Sequence, residues 1–135
     1  MNRKYKILKE SNKYDEYTKI LEYCIFLDLN SKILKSRQYE KIILQYFDDN
    51  NIKYNKGAVD YPEYIKVKKF SLKEVIKNYR NSIIHCSEDL NFEIKNKKCY
   101  YKIINKNCEL NLESKTLLKI FEIYEELGGI NYGNY

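Results

Sequence analysis

One short stretch of the chain combines the two side chains best suited to cleaving a phosphodiester bond. Residues 79–85 have the sequence YRNSIIH, and His85 is the only histidine among 135 residues. Arginine is also scarce: the chain has only Arg3, Arg37 and Arg80. Histidine exchanges protons near neutral pH, and the planar guanidinium of arginine matches phosphate oxygens with a fork of donors.

Together these groups suit the cleavage of RNA. The imidazole would remove the proton of a ribose 2′-hydroxyl, which then attacks the adjacent phosphate, while the guanidinium stabilises charge on the phosphorus oxygens. Because the nucleophile belongs to the substrate, we expect no cofactor and no metal. Arg80, Asn81 and His85 are the predicted catalytic residues, with Asn81 orienting the imidazole or holding a phosphate.

Helical geometry restricts how these residues can act together. At ~100° per residue, Asn81 and His85 share one face of a helix, whereas Arg80 lies ~140° from His85. One straight helix therefore does not aim Arg80 and His85 at a single point. Fraying of the helix end would bring them together, as would a second copy facing the first across a twofold axis. We expect the second arrangement, a homodimer with a shared cleft.

Each of these residues also has a simpler interpretation. A histidine at a helix C-terminus is stabilised by the helix dipole. An arginine can be solvated at the surface, and asparagine is common near helix ends. Lys73, Lys77 and the basic turn at 95–98 could contact an RNA backbone, and tyrosines such as Tyr100 could stack on bases. Solvated lysines and packed tyrosines are the alternatives.

The stretch resembles the signature of the HEPN superfamily (higher eukaryotes and prokaryotes nucleotide-binding domains). That signature is an arginine, four to six residues and a histidine near the end of a helix, and four residues separate Arg80 from His85. Asn81 directly after the arginine, and Ile83 and Ile84 before the histidine, extend the similarity. Only these few residues carry it closely.

The resemblance implies a homodimeric, metal-independent endoribonuclease with a helical-bundle core, RNA as its partner, and products with a 2′,3′-cyclic phosphate and a 5′-hydroxyl. It also implies a toxin or antiviral-defence effector with an antitoxin or defence-system partner. One subgroup of toxins, paired with nucleotidyltransferase antitoxins, often carries a tyrosine two residues after the histidine. This chain has Ser87 there, so neutralisation through such a tyrosine is not expected.

Apolar residues at three- and four-residue steps predict the helices that position the motif. One helix is predicted over 13–28 with Asn12 as its cap, a second begins after Ser36 and ends at the polar cluster 48–51, and the last covers 113–127. The structure of residues before the first helix is left open between a strand, a helical turn and an ordered arm.

The motif itself belongs to a helix predicted over 72–86. Ser71 and Glu74 form an S-x-x-E capping box at its start. The predicted buried face of this helix consists of Leu72, Val75, Ile76, Tyr79 and Ile83, with Ile84 as a further candidate. YRNSIIH therefore occupies its last turns.

After the motif the period changes from helix to strand. Residues 90–94 alternate, 99–104 form the returning strand, and 108–110 add a short third strand. Residues 52–70 are predicted to be a long connection in which 64–67 form a short strand or a helical turn. The expected fold is mainly α, a HEPN-like helical bundle with a small antiparallel β-hairpin inserted before the last helix.

Length and charge bound the remaining expectations. We expect a single domain over 1–127 and a flexible tail over 128–135. The net charge of +6 favours a polyanionic partner such as RNA, although a lysine-rich surface in a chain of biased composition is the alternative.

The amino-terminal region is charged and lacks the apolar segment of a signal peptide, and no apolar run reaches the ~18 residues of a membrane span. We therefore expect a cytoplasmic protein with no membrane partner and with reduced Cys24, Cys86, Cys99 and Cys108. A zinc site built from His85 and the last three of these cysteines lacks the usual paired ligand spacing.

Three functions follow. The first is an endoribonuclease of toxin–antitoxin or antiviral-defence systems. The second is a non-catalytic HEPN-like RNA- or nucleotide-binding module. The third is a structural or regulatory helical partner protein.

Overall fold

Five helices and four strands form the part of the chain that the structure, a computed structural model, describes: residues 3–29, 37–54 and 61–126. The predicted cap Ser36 and the predicted tail lie outside these residues. The described elements in chain order are α1 (Arg3–Glu10), α2 (Tyr14–Leu29), α3 (Arg37–Asp49), β1 (Tyr64–Val67), α4 (Leu72–Ile84), β2 (Leu90–Lys95), β3 (Lys98–Ile104), β4 (Cys108–Glu113) and α5 (Ser114–Glu126).

The four strands form one antiparallel sheet in the order β1-β4-β3-β2. The prediction of a helical bundle with a small β-hairpin was therefore wrong, and the described chain is an α+β structure. The β2–β3 turn places both Asn96 and Lys97 at positive φ, which a type I′ hairpin turn requires. The sheet has more strands than predicted because β1 pairs with β4. These two strands are distant in sequence, so local periodicity does not reveal their pairing.

One face of the sheet is apolar and faces the helices. Ile65, Leu110, Ile103 and Leu90 are directly opposed across all four strands, and each is fully buried. Helix α1 packs on β2, and α5 packs on β3 and β4. Helix α2 contacts both α4 and α5, and α3 contacts α5. The hydrophobic core therefore lies between the sheet and these helices.

The opposite face of the sheet, called the outer face here, follows from the same alternation. It differs from the core face in composition, because charged and amide side chains dominate it. Its residues are Tyr64 and Lys66 on β1, Asn91, Glu93 and Lys95 on β2, Lys98, Tyr100, Lys102 and Ile104 on β3, and Glu109, Asn111 and Glu113 on β4.

Helix α4 carries the motif and largely follows its prediction. The five residues predicted to form its apolar face are buried, whereas the further candidate Ile84 is only partly buried. Ser71 is the N-cap, but its side chain makes no capping hydrogen bond, so the predicted capping box does not form on that side. The helix also ends at Ile84, slightly before the predicted end at residue 86.

Tyr79 fastens this helix to the sheet. Its hydroxyl donates a hydrogen bond to the Tyr101 carbonyl oxygen at 2.7 Å and accepts one from the Leu112 N–H at 3.0 Å. Tyr101 and Leu112 are directly opposed on β3 and β4. One buried hydroxyl thus joins a donor and an acceptor of two neighbouring strands, and it fixes how α4 is rotated on the sheet.

Replacing Tyr79 with phenylalanine should lower the free energy of unfolding by about 1–3 kcal/mol, because it leaves a buried N–H and a buried carbonyl without their partner. Urea denaturation followed by circular dichroism measures the change. Tyr14→Phe is the matched control, since this ring is 37% exposed and its loss should cost under about 0.5 kcal/mol. Equal losses in the two variants would contradict the role given to the Tyr79 hydroxyl.

A carboxylate that sequence patterns do not identify connects the segment before β1 to the start of α5. The Glu63 side chain accepts hydrogen bonds from the Glu113 N–H, at 2.8 Å, and from the Thr116 hydroxyl. It therefore satisfies a donor at the helix N-terminus, where negative charge is favourable. The Glu113 carboxyl lies nearby and is buried, and its Oε2 has no hydrogen-bond partner among the described residues.

Burial, and then the charge of Glu63, raises the pKa of Glu113 above its ordinary value of 4.5. The folded state then binds this proton more tightly than the unfolded state, so ionisation of Glu113 destabilises the fold as pH rises above about 4.5. Glu113→Gln should therefore increase stability at pH 7, and the gain should disappear near pH 4. Denaturation at the two pH values checks this, with the exposed Glu88→Gln as control. A gain that is larger at pH 4 would contradict the stated sign.

Candidate active site

The motif helix ends in a defined backbone arrangement. His85 is the C-cap residue, and its N–H donates to the Asn81 carbonyl at 3.0 Å. The Cys86 N–H donates to the Ile83 carbonyl at 3.4 Å, and the Ser87 N–H donates to the Ser82 carbonyl at 2.9 Å. This is the Schellman pattern of helix ends, which requires a left-handed residue. Cys86 takes that position with φ of 50°, a conformation that glycine normally adopts.

Arg80 lies inside the structure, on the side of α4 that contacts α2. The residue is 8% exposed, which excludes the alternative of a solvated surface arginine. The pKa of the Cys24 thiol on α2 reflects this proximity. Burial raises that pKa to about 12, and the positive charge of the nearby Arg80 guanidinium lowers it in part. A guanidinium packed between helices is restricted to a small range of positions. Such restriction favours the binding of a phosphate in a defined geometry.

Asn81 links Arg80 to the helix end. Its Oδ1 accepts long hydrogen bonds from Arg80 Nε and Nη2, at 3.4 and 3.5 Å. Its backbone carbonyl is the acceptor for the His85 N–H. The Asn81 side chain was expected to orient the imidazole or hold a phosphate, but in this structure it turns towards the arginine. Arg80 and Asn81 are thus brought together by their side chains.

His85 is exposed at the end of α4. Among the residues that the structure describes, no side chain makes a hydrogen bond or an ion pair with its imidazole. The helix runs unbroken through Ile84, so the ~140° separation between Arg80 and His85 is retained and the end does not fray. One chain therefore presents an accessible imidazole and a buried guanidinium on different sides of the same helix.

Two residues of α1 contact the segment after the motif, and sequence patterns did not identify them as part of the site. Lys4 Nζ donates to the Ser87 carbonyl at 2.7 Å. The buried Tyr5 hydroxyl lies beside the Cys86 thiol and the Tyr17 hydroxyl, without a hydrogen bond of good geometry. Burial raises the pKa of Tyr5 well above its ordinary value. The only sequence signal is the i, i+3 spacing of Tyr5 and Leu8, which predicts a buried helix face and no more.

Two open clefts lie away from the motif, and neither is lined by Arg80, Asn81 or His85. One, of about 360 Å³, lies between the end of β1 and the turn joining β3 to β4. The other, of about 500 Å³, lies beside the β2–β3 turn and includes Tyr61 and Tyr100. The motif residues of one chain thus line neither of these two concavities.

Among residues 3–29, 37–54 and 61–126, no three His, Cys, Asp or Glu side chains cluster as metal ligands would. The four cysteines are free thiols, of which Cys86 alone is exposed. No helix in the same ranges has the length and apolar character needed to cross a bilayer.

The chain matches no protein-family model, no curated protein and no solved structure. The class that the coordinates define is therefore structural: an α+β domain with helices on one face of an antiparallel sheet. The case for a function stands on the motif and on its geometry.

Arg80 and His85 should differ in their contribution to stability. Arg80→Ala should lower the free energy of unfolding by more than about 1 kcal/mol, because it removes a packed side chain together with its contacts. His85→Ala should change it by under about 0.5 kcal/mol, because the exposed side chain supports no other group. Urea denaturation of both variants measures the difference. A His85→Ala variant as unstable as Arg80→Ala would show that the imidazole has a structural role instead.

Proposed function

We propose that this protein is a metal-independent endoribonuclease in which Arg80, Asn81 and His85 carry the reaction. The observation that supports the proposal most directly is the joined helix end: Asn81 contacts the Arg80 guanidinium through its side chain and His85 through its backbone. The only histidine of the chain is thereby left accessible, one residue outside a helix whose arginine is held in place.

The reaction needs one base, one cation and one acid. The His85 imidazole takes the proton of the 2′-hydroxyl, whose oxygen attacks the adjacent phosphorus. The bond between that oxygen and phosphorus forms, and the bond from phosphorus to the 5′-oxygen breaks. Arg80 stabilises the charge on the non-bridging oxygens. The imidazolium formed in this step then gives its proton to the leaving 5′-oxygen, so the products carry a 2′,3′-cyclic phosphate and a 5′-hydroxyl.

The dimer is part of the same proposal. Arg80 and His85 lie on different sides of α4, so one phosphate does not easily contact both residues of the same chain. In the proposed dimer, the phosphate contacts the His85 of one chain and the Arg80 of the other. A twofold axis near the end of α4 duplicates this arrangement and provides two cleavage sites. Burial of the imidazoles between two chains also excludes water, which strengthens the interaction of the guanidinium with the phosphate.

The resemblance to the HEPN superfamily supports the chemistry, and it extends over the motif alone. The four-stranded sheet separates this chain from a simple helical bundle. A role as a cytoplasmic toxin or antiviral-defence effector, with an antitoxin or another defence component as its partner, belongs to the proposal on the strength of that motif.

A second candidate function is a non-catalytic RNA- or nucleotide-binding module. The observation that favours it is the burial of Arg80, because a guanidinium held between helices also stabilises the fold without any chemistry. Cleavage activity decides between the two.

Purified protein should cleave single-stranded RNA in the presence of EDTA. Arg80→Lys and His85→Ala should each reduce the rate at least about 100-fold, because they remove the planar fork and the base. Arg37→Ala, which removes an exposed arginine on α3, is the matched control and should cleave at the wild-type rate. Gel electrophoresis with end-group analysis of the products measures both. Cleavage that survives in both site variants, or that requires an added metal ion, would reject the mechanism.

Co-expression of Arg80→Ala with His85→Ala tests the shared site. Half of randomly formed dimers are then mixed, and each mixed dimer holds one complete site of two, so about a quarter of wild-type activity should return. Light scattering gives the mass of the same samples. A mixture as inactive as the separate variants, or a strictly monomeric active protein, would contradict the sharing of residues between chains.

A further inference from the structure

The smaller of the two clefts combines apolar surface with uncompensated positive charge. Three exposed lysines, Lys66, Lys68 and Lys106, surround it. Ile104 also lines it and is 53% exposed, the most exposed of the large hydrophobic side chains described. We call this feature the lysine cleft. None of the three lysines makes an ion pair with a carboxylate in the described part of the chain.

Pairing of β1 with β4 assembles the lysine cleft from segments distant in sequence. Ile104, Glu109 and Lys66 are directly opposed across β3, β4 and β1 on the outer face. Asn105 Oδ1 accepts the N–H groups of Asn107 and Cys108 at 2.9 and 3.0 Å, which orders the turn that carries Lys106. The cleft is therefore preformed, and a ligand need not order its turn.

Glu109, the acidic residue of the cleft, is already engaged. Its Oε2 accepts a hydrogen bond from the Tyr64 hydroxyl of β1. The charge balance of the lining residues is thus three lysines against one carboxylate with a partner of its own. An anion with a flat apolar part fits this composition best, because its charge meets the ammonium groups while its ring covers Ile104. Nucleotides have that chemistry.

A backbone hydrogen bond connects the cleft to the segment that follows α4. The Ile104 N–H donates to the Asp89 carbonyl at 3.3 Å, so the row Asp89, Ile104, Glu109 and Lys66 runs from the residue before β2 across β3, β4 and β1. At ~4.8 Å between strands, the row is about 14 Å long. Asp89 is only four residues after His85. A stacked strand rises ~3.4 Å per nucleotide, so roughly four nucleotides span the row.

We infer that the lysine cleft binds the single-stranded RNA substrate beside the cleaved bond, with its phosphates on Lys66, Lys68 and Lys106 and a base on Ile104. This inference rests on the proposed function, because it gives the cleft the same RNA that Arg80 and His85 cleave. It adds a binding surface that the catalytic motif lacks, and it gives a role to three lysines that make no ion pair with a carboxylate in the described part of the chain.

The test is the binding of a fluorescent RNA of about 12 nucleotides with 2′-O-methyl groups, which the wild-type chain cannot cleave because the nucleophile is blocked. Anisotropy gives Kd at several salt concentrations. The variant changes Lys66, Lys68 and Lys106 to alanine. The matched control changes Lys19, Lys41 and Lys115 to alanine and removes the same charge from exposed positions on the helices. Each lost phosphate contact lowers the slope of log K against log salt by ~0.7 for a single strand.

The cleft variant should bind at least about 10-fold more weakly, with a slope smaller by about 2, whereas the control should change Kd under about 3-fold. Ile104→Ser should weaken binding with an unchanged slope, because it removes a base contact and no charge. Equal effects of the two triple variants would overturn the inference. If cleavage depends on Arg80 and His85 but the cleft variant binds RNA as the wild type does, the role of the cleft alone is rejected. Cleft-dependent binding without any cleavage would reject the proposed nuclease and keep the cleft.

Discussion

The hydroxyl of Tyr79 is the interaction on which the candidate site depends. It joins the Tyr101 carbonyl of β3 to the Leu112 N–H of β4, and both strands lie beneath the motif helix. A hydroxyl with a donor on one side and an acceptor on the other tolerates little rotation of its helix. The side chains that neighbour Tyr79 in sequence then point in fixed directions, and Arg80 is the residue that follows it. The structural contact of Tyr79 and the proposed catalytic group of Arg80 are thus adjacent in the same motif.

From that fixed rotation the positions of the other motif residues follow at ~100° per residue. Ile83 lies near Tyr79 and is buried against the core, whereas Arg80 falls on the flank that meets α2. Asn81 and His85 fall on the far side and are exposed. The core therefore forces the arginine inward and the histidine outward. This division is the physical reason why one chain alone does not form a closed cleavage site, and why a partner surface belongs to the proposed mechanism.

Sequence patterns predicted the elements whose signals are local. The apolar face of α4 and the alternation of β2 are visible within a few residues of one another, and both predictions were confirmed. The four-residue strand β1 carries little local signal, and its partner β4 comes after two further strands and a helix, so the sheet was underestimated. The lysine cleft depends on that same pairing, because it brings Lys66 and Lys68 to Lys106. Likewise, nothing in the spacing of Arg80 shows that its flank of the helix meets α2.

Burial of Arg80 makes the two halves of the proposed reaction unlike each other. A guanidinium between helices has lost most of its conformational freedom during folding, so little further entropy is lost when a phosphate arrives. The exposed imidazole of His85, by contrast, must be ordered by the substrate or by a second chain. In the proposed mechanism, folding therefore positions the arginine, and association of two chains positions the histidine. We expect a single chain to be inactive, because Arg80 and His85 lie on different sides of α4.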